Sequence, residues 1–144
     1  MTLIWREDTA PDVYTVAELT NYLELCEQGL KIDLCVPAPR PFPSSVLAIE
    51  TDHKPADYFL AGLVFVVSGE LRSVLETFNV HAEFHELSVT HKSKQYTSKE
   101  YYYCNILDAV DCLDYELSEY KTTPHGVTRI EKLVIDESKS MSSN

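Results

Sequence analysis

Between Glu100 and Tyr120 the sequence carries six acidic residues and no base, and five of them, Asp108, Asp111, Asp114, Glu116 and Glu119, fall within twelve positions. On a helix, Asp108 and Asp111 share one face, Asp111 and Asp114 do the same one turn on, and Ala109, Val110, Cys112 and Leu113 take the other side. The carboxylates would then form a strip about 9 Å long at about 1.5 Å per residue. Three readings suit such a strip. It can be a solvated face with no role. It can dock a basic protein, because like charges held together cost free energy that a cationic partner relieves. It can hold a divalent cation for hydrolysis, although such sites normally add a Lys, His or Arg to handle the substrate phosphate, and none lies in this segment. A structural use of the same motif is also open, with Asp and Ser capping turns.

Other residue types with chemical potential are less well arranged. His81 and His85 have the spacing of a helical zinc pair, but their surroundings read as a strand, where they share a face about 13 Å apart as exposed histidines. His53, His91 and His125 have no cysteine pair beside them. A Cys104 or Cys112 nucleophile with His125 has arbitrary spacing, and acidic surroundings raise a thiol pKa rather than lower it. There is no G-x-S-x-G, and four glycines are too few for a phosphate-cradling loop. No catalytic residue, metal ligand or cofactor is assigned. Nine tyrosines remain, five of them from Tyr96 to Tyr115. On a strand Tyr101 and Tyr103 face away from Tyr102, so one of these faces should be exposed. Exposed tyrosine beside carboxylates is the composition of a protein-binding surface.

Several elements must position these residues. Leu3-Ile4-Trp5 suggests an entering strand. Thr15 and Glu18 form a capping box for a helix with Val16, Leu19, Tyr22, Leu23 and Cys26 on one stripe, ended by Gly29 in a left-handed conformation. Prolines 37, 39, 41 and 43 make an extended connector. Ser45 to Thr51 reads as a short strand and would also fit one helical turn, and Leu63 to Val67 reads as a strand that leads to Ser68, the N-cap of a helix carrying Leu71, Val74, Leu75 and Phe78, with Asn79 as its stop. Beyond it Ala82 and Phe84 alternate in one phase and Leu87 and Val89 in the other, so a bulge at His85-Glu86 is expected. Lys92 to Gln95 is a turn, Tyr96 to Ile106 the return strand, and Thr128 to Ile135 the last strand after a turn at Pro124 and Gly126.

The 144 residues, 44% hydrophobic and 24% charged, fit one globular domain over 1–138 with a frayed end over 139–144. Intermixed helices and strands without strict βαβ alternation predict an α+β fold, a mostly antiparallel sheet with two main amphipathic helices. Twenty-three acids against twelve bases give a net charge of −11. That charge disfavours direct binding to nucleic acid or an anionic membrane and suits a basic partner. Cysteines 26, 35, 104 and 112 lack C-x-x-C spacing and read as reduced, mostly buried thiols of a cytoplasmic protein. The N-terminus shows no signal-peptide pattern, and the longest apolar run, Leu60 to Val67, is far short of a membrane span.

The order Val66-Val-Ser68-Gly-Glu-Leu71, a short helix, Phe84-His-Glu-Leu-Ser-Val89, then Tyr102-Tyr-Cys-Asn105-Ile-Leu-Asp108-Ala-Val-Asp111-Cys-Leu-Asp114-Tyr-Glu-Leu-Ser118-Glu119-Tyr120 and Ile130-Glu-Lys-Leu-Val-Ile-Asp136 resembles a family of bacterial polymorphic-toxin immunity proteins, formerly a domain of unknown function. The resemblance covers roughly residues 63 to 138 and is sharpest at Tyr102 to Tyr120. After Asp136-Glu-Ser-Lys139 the family pattern continues into a further strand and helix that this sequence lacks. The resemblance implies an α+β inhibitor without catalysis of its own, which binds a cognate toxin effector domain, often a nuclease with a basic cleft. Asp108, Asp111, Asp114, Glu116 and Glu119 are then the electrostatic candidates for partner binding, and Tyr101, Tyr103, Tyr115 and Tyr120 the candidate anchors. A carboxylate-dependent metal hydrolase and a small acidic adaptor for a basic protein are the alternatives.

Overall fold

The computed structural model describes residues 14–31, 35–78, 80–108, 111–124 and 126–140. Two compact units divide the chain after Asp108. In the larger, β1 (Ala17–Leu19), α1 (Tyr22–Glu27), β2 (Val46–Ile49), β3 (Tyr58–Ala61), β4 (Val64–Ser68), α2 (Gly69–Thr77), β5 (Ala82–His91), β6 (Lys94–Gln95) and β7 (Tyr101–Ile106) follow in order. The strands form one sheet in the order β1-β2-β5-β7-β4-β3, with β6 pairing β5. β2 runs parallel to β5, with Val46 opposite Ser88, and every other pair in this sheet is antiparallel. Among the described residues the fold is thus broadly α+β, with a mixed sheet and three short helices. Its two edges approach each other, and the Ala56 amide donates to Thr15 Oγ1 at 3.0 Å.

Both faces of this sheet are covered, which explains two departures from the sequence reading. Leu47, Ile49, Phe59, Val64, Val66, Leu87, Val89, Tyr101 and Tyr103 bury one face together with Leu25 of α1. On the other face, Val67, Tyr102 and Cys104 lie under Leu71 and Leu75 of α2, with Ala82 and Phe84 beside them. β5 therefore needs no bulge to bring its two apolar phases together. Its ladder with β7 runs without interruption from Ala82–Ile106 to Leu87–Tyr101, and each phase serves its own cluster. Likewise neither face of β7 is open: Tyr101, Tyr102 and Tyr103 are all buried.

The expected Thr15-capped helix is the other correction. Residues 17–19 pair with β2 as a strand, the hydroxyl of buried Thr15 accepts from the Ala56 amide, and the helix is confined to Tyr22–Glu27. A strand partner for Ala17–Leu19 outweighs a helical stripe whose Val16 and Leu23 remain exposed. Two main amphipathic helices are therefore not confirmed among the described residues. Gly29 does take φ +99 after this helix. Residues 36–43 form no regular element, as their prolines require. The apolar run from Leu60 folds into the β3–β4 hairpin, whose two-residue turn starts at Gly62 with φ +66. Ser68 is the N-cap of α2, accepting from the Leu71 amide at 3.2 Å, and donates to Asp57 Oδ1 at 2.7 Å. The proposed stop Asn79, the Leu3-Ile4-Trp5 strand and His125 lie outside the described residues.

The smaller unit is built on an antiparallel hairpin of β8 (Glu119–Thr123) and β9 (Gly126–Lys132). The ladder extends below the hairpin through a Leu113–Ile135 bridge, and the Asp136 amide donates to the Cys112 carbonyl at 2.8 Å. A helical turn, α3 (Glu137–Ser140), starts at Asp136, whose Oδ1 accepts from the Ser138 amide and hydroxyl.

Candidate partner-binding surface

The described residues of the acidic segment do not form a helix. Residues 111–114 run as extended chain bridged to 135, residues 115–117 form a turn, and β8 starts at Glu119. Asp114 supplies the physical reason. Its Oδ1 accepts from the Glu116 and Leu117 amides, both at 3.0 Å, so the carboxylate takes donors that a helix would direct to backbone carbonyls. Ser118 closes the turn: its amide donates to the Asp114 carbonyl at 3.0 Å, its hydroxyl donates to the Val134 carbonyl at 3.1 Å and accepts from the Val134 amide at 3.0 Å. The 9 Å strip of carboxylates is thus replaced by a capped turn.

The five acidic candidates have different duties. Asp108 ends the described part of the larger unit and sits 2.8 Å from His81 Nδ1, with both side chains more than half exposed. Asp111 accepts from the Tyr115 hydroxyl at 3.0 and 3.1 Å, and this bond to a carboxylate holds the Tyr115 pKa above its ordinary value. Asp114 caps the turn. Glu116 and Glu119 are exposed, and among the described residues neither has a basic partner.

The tyrosine candidates divide as sharply. Tyr101 and Tyr103 are core residues and are not presented to a partner; the Tyr101 hydroxyl donates to the Ala56 carbonyl at 3.1 Å, and burial raises its pKa. Tyr115 is 45% exposed and packs edge-on against Tyr120 with ring centroids 5.5 Å apart. Lys139 Nζ lies 5.9 Å from the Tyr115 ring centre. Leu117 stands at the crest of the turn, 60% exposed between Glu116 and the buried Ser118. Nothing in the sequence had singled out Leu117; the turn, not the periodicity, is what exposes it.

The nucleophile and metal candidates are placed elsewhere. All four cysteines are free; Cys104 alone is buried, and burial lifts its thiol to about 11, away from reactivity. Among the described residues no three His, Cys, Asp or Glu side chains gather in a metal-binding group. His85 is not an exposed strand residue as expected: its ring stacks on Phe42 at 4.2 Å, and burial lowers its pKa. His91 Nε2 lies 2.6 Å from the Thr51 carbonyl. The groove beside α2, lined by Arg72, Glu76, Lys99, Glu100 and Tyr102, is satisfied internally: Arg72 pairs with Glu76 and packs on the Tyr102 ring, and Lys99 bonds Asp57 and lies 3.6 Å from Glu70. No helix among the described residues is long and apolar enough to cross a membrane.

The surface presents carboxylates and apolar side chains on a short, internally bonded turn. No curated protein sequence matches the chain. Residues 39–144, well over half of its length, match the family described as Immunity protein family (Imm11), and the chain belongs to that family.

Proposed function

We propose that the protein neutralises a cognate toxin domain in the cell that makes it, by stoichiometric binding that occludes a basic active-site cleft such as that of a nuclease. The observation that carries this reading is the Asp114–Ser118 turn, whose internal bonds hold Leu117 and Tyr115 outward beside two exposed carboxylates, Glu116 and Glu119, neither of them in an ion pair among the described residues although Lys132 stands opposite Glu119 and Lys139 lies near the Tyr115 ring. Membership of an immunity family supplies the class of partner, and the net charge of −11 supplies its sign. A turn already rigid in the free protein loses little conformational freedom on binding, and unpaired carboxylates steer a cationic partner during encounter. Inhibition of this kind needs no catalytic group in the inhibitor.

Co-expression with the toxin encoded in the neighbouring reading frame, scored for growth and co-purification, tests the function. The mechanism is tested by the double reversal Glu116→Lys, Glu119→Lys. The association rate should drop at least tenfold at low salt and lose most of its salt dependence, because the steering charge has changed sign. Unchanged association kinetics in the reversed protein would show that the toxin docks elsewhere.

A further inference from the structure

The apolar cluster under α2 does not close at one end. Leu71 and Leu75 pack on the sheet, and Phe78, next on the same i, i+4, i+7 stripe, is 75% exposed. Residues 79–81 join this end of α2 to Ala82, which lies opposite Ile106 in the β5–β7 ladder, so Phe78 and Ile106 lie at one end of the sheet. Ile106 shares the phase of buried Tyr102 and Cys104 yet is 42% exposed. Val66 stands opposite Tyr103 in the antiparallel β4–β7 pair, which brings the β3–β4 turn, with its exposed Leu63, to that same end. Exposed Val74 lies one turn of α2 before Phe78.

Isolated exposed apolar residues need no explanation, but four that continue a buried cluster into solvent do. The two acids that frame the patch, Glu76 and Asp108, are engaged by Arg72 at 2.9 Å and by His81 at 2.8 Å, so the charge that bears on a partner is the net charge of the chain. A second copy of this chain would bring a like charge of −11 to that rim, whereas a cationic protein would complement it.

We propose that this end of the larger unit is a second docking surface, which receives an apolar side chain flanked by basic residues on the toxin domain. The inference rests on the immunity reading and adds to it an anchor, Phe78, that the acidic turn lacks. An aromatic side chain set among apolar neighbours at a surface is the usual composition of a residue that dominates binding energy.

The test is calorimetric titration of the full chain with the purified toxin domain, using Phe78→Ala and Phe78→Lys beside the Glu116→Lys, Glu119→Lys protein. Because Phe78 is largely exposed, the melting temperatures of its variants should match the parent. Affinity should fall about thirtyfold for Phe78→Ala and further for Phe78→Lys, as expected on loss of an anchoring aromatic. Parental affinity in both Phe78 variants, with weakening confined to the turn variant, overturns the second surface and leaves the immunity reading standing. No binding by the parent chain overturns both. A dimer in sedimentation that disappears with Phe78→Lys assigns the patch to self-association and also overturns the proposal.

Discussion

Glu83 is the best place to test how the larger unit is held together. It projects from β5 with its side chain 11% exposed and gathers four groups: the Ala38 amide at 2.8 Å, Arg40 at 2.6 Å, Asn105 Nδ2 at 3.2 Å and His85 Nε2 at 3.6 Å. Burial alone would raise its pKa; the donors from Ala38, Arg40 and Asn105 outweigh it and bring the carboxyl from 4.5 to about 2. At about 1.4 kcal/mol per pH unit that difference is worth on the order of 3 kcal/mol, and allowing for solvent screening at Arg40 leaves roughly 2 kcal/mol as the expected loss in Glu83→Gln at pH 7. The bond to Ala38 and the stacking of Phe42 on His85 tie the proline-rich connector to the sheet, so the loss falls on the join between connector and sheet. A folded pKa below the ordinary one means stability present above about pH 4.5 and lost as pH falls toward 2. Urea unfolding followed by circular dichroism should show the Glu83→Gln midpoint about 1 M below the parent at pH 7 for a slope near 2 kcal/mol per M, and the gap should shrink steadily between pH 4.5 and 2.5. A gap that is absent at pH 7, or that is the same at pH 7 and pH 3, refutes the reasoning.

Two further substitutions separate structural from binding roles. Asp114→Ala should speed hydrogen exchange at the Glu116 and Leu117 amides and destabilise the turn by about 1 kcal/mol, while Asp114→Asn, which keeps an acceptor, should preserve most of that protection. If exchange at both amides is the same in the parent and the alanine variant, the carboxylate is not what folds the turn. Ser68→Ala removes both the cap of α2 and a donor to Asp57, at about 1–2 kcal/mol; a thermal midpoint equal to the parent's would show that water replaces the hydroxyl without cost.

What was legible in the sequence were features decided locally. Ser68 caps α2 because its side chain needs only the amide three residues on, Gly29 takes a positive φ because it lacks a Cβ, and the prolines of 36–43 cannot pair as a central strand. The family could be read as well, from the motifs of β4 to β9, although the match begins upstream of them at residue 39. The failures arose where distant chain decides. Ala17–Leu19 has the spacing of a helix but is a strand because β2, some thirty residues later, offers it a ladder. The two phases of β5 look like a register slip only if one face of the sheet is open, and α2 covers the second face. That covering buries Tyr102, while Tyr101 and Tyr103 are buried on the opposite face together with Leu25 of α1.

The acidic segment shows why a charge count cannot by itself define a binding surface. The five carboxylates selected by spacing are not one electrostatic unit: Asp114 is an acceptor for backbone amides, Asp111 for a tyrosine hydroxyl, and Asp108 faces His81 within the larger unit. A carboxylate engaged in this way resists reorientation toward a partner, since the partner must compete with bonds already made. The unengaged pair, Glu116 and Glu119, is smaller than the strip, but it flanks Leu117, an exposed apolar residue that charge arithmetic could not have selected. On the proposed mechanism, affinity for a basic cleft would depend on apolar contact at Leu117 and Tyr115 as much as on charge. Reversal of the two glutamates should therefore act mainly on the association rate, while truncation of Leu117 should act mainly on dissociation.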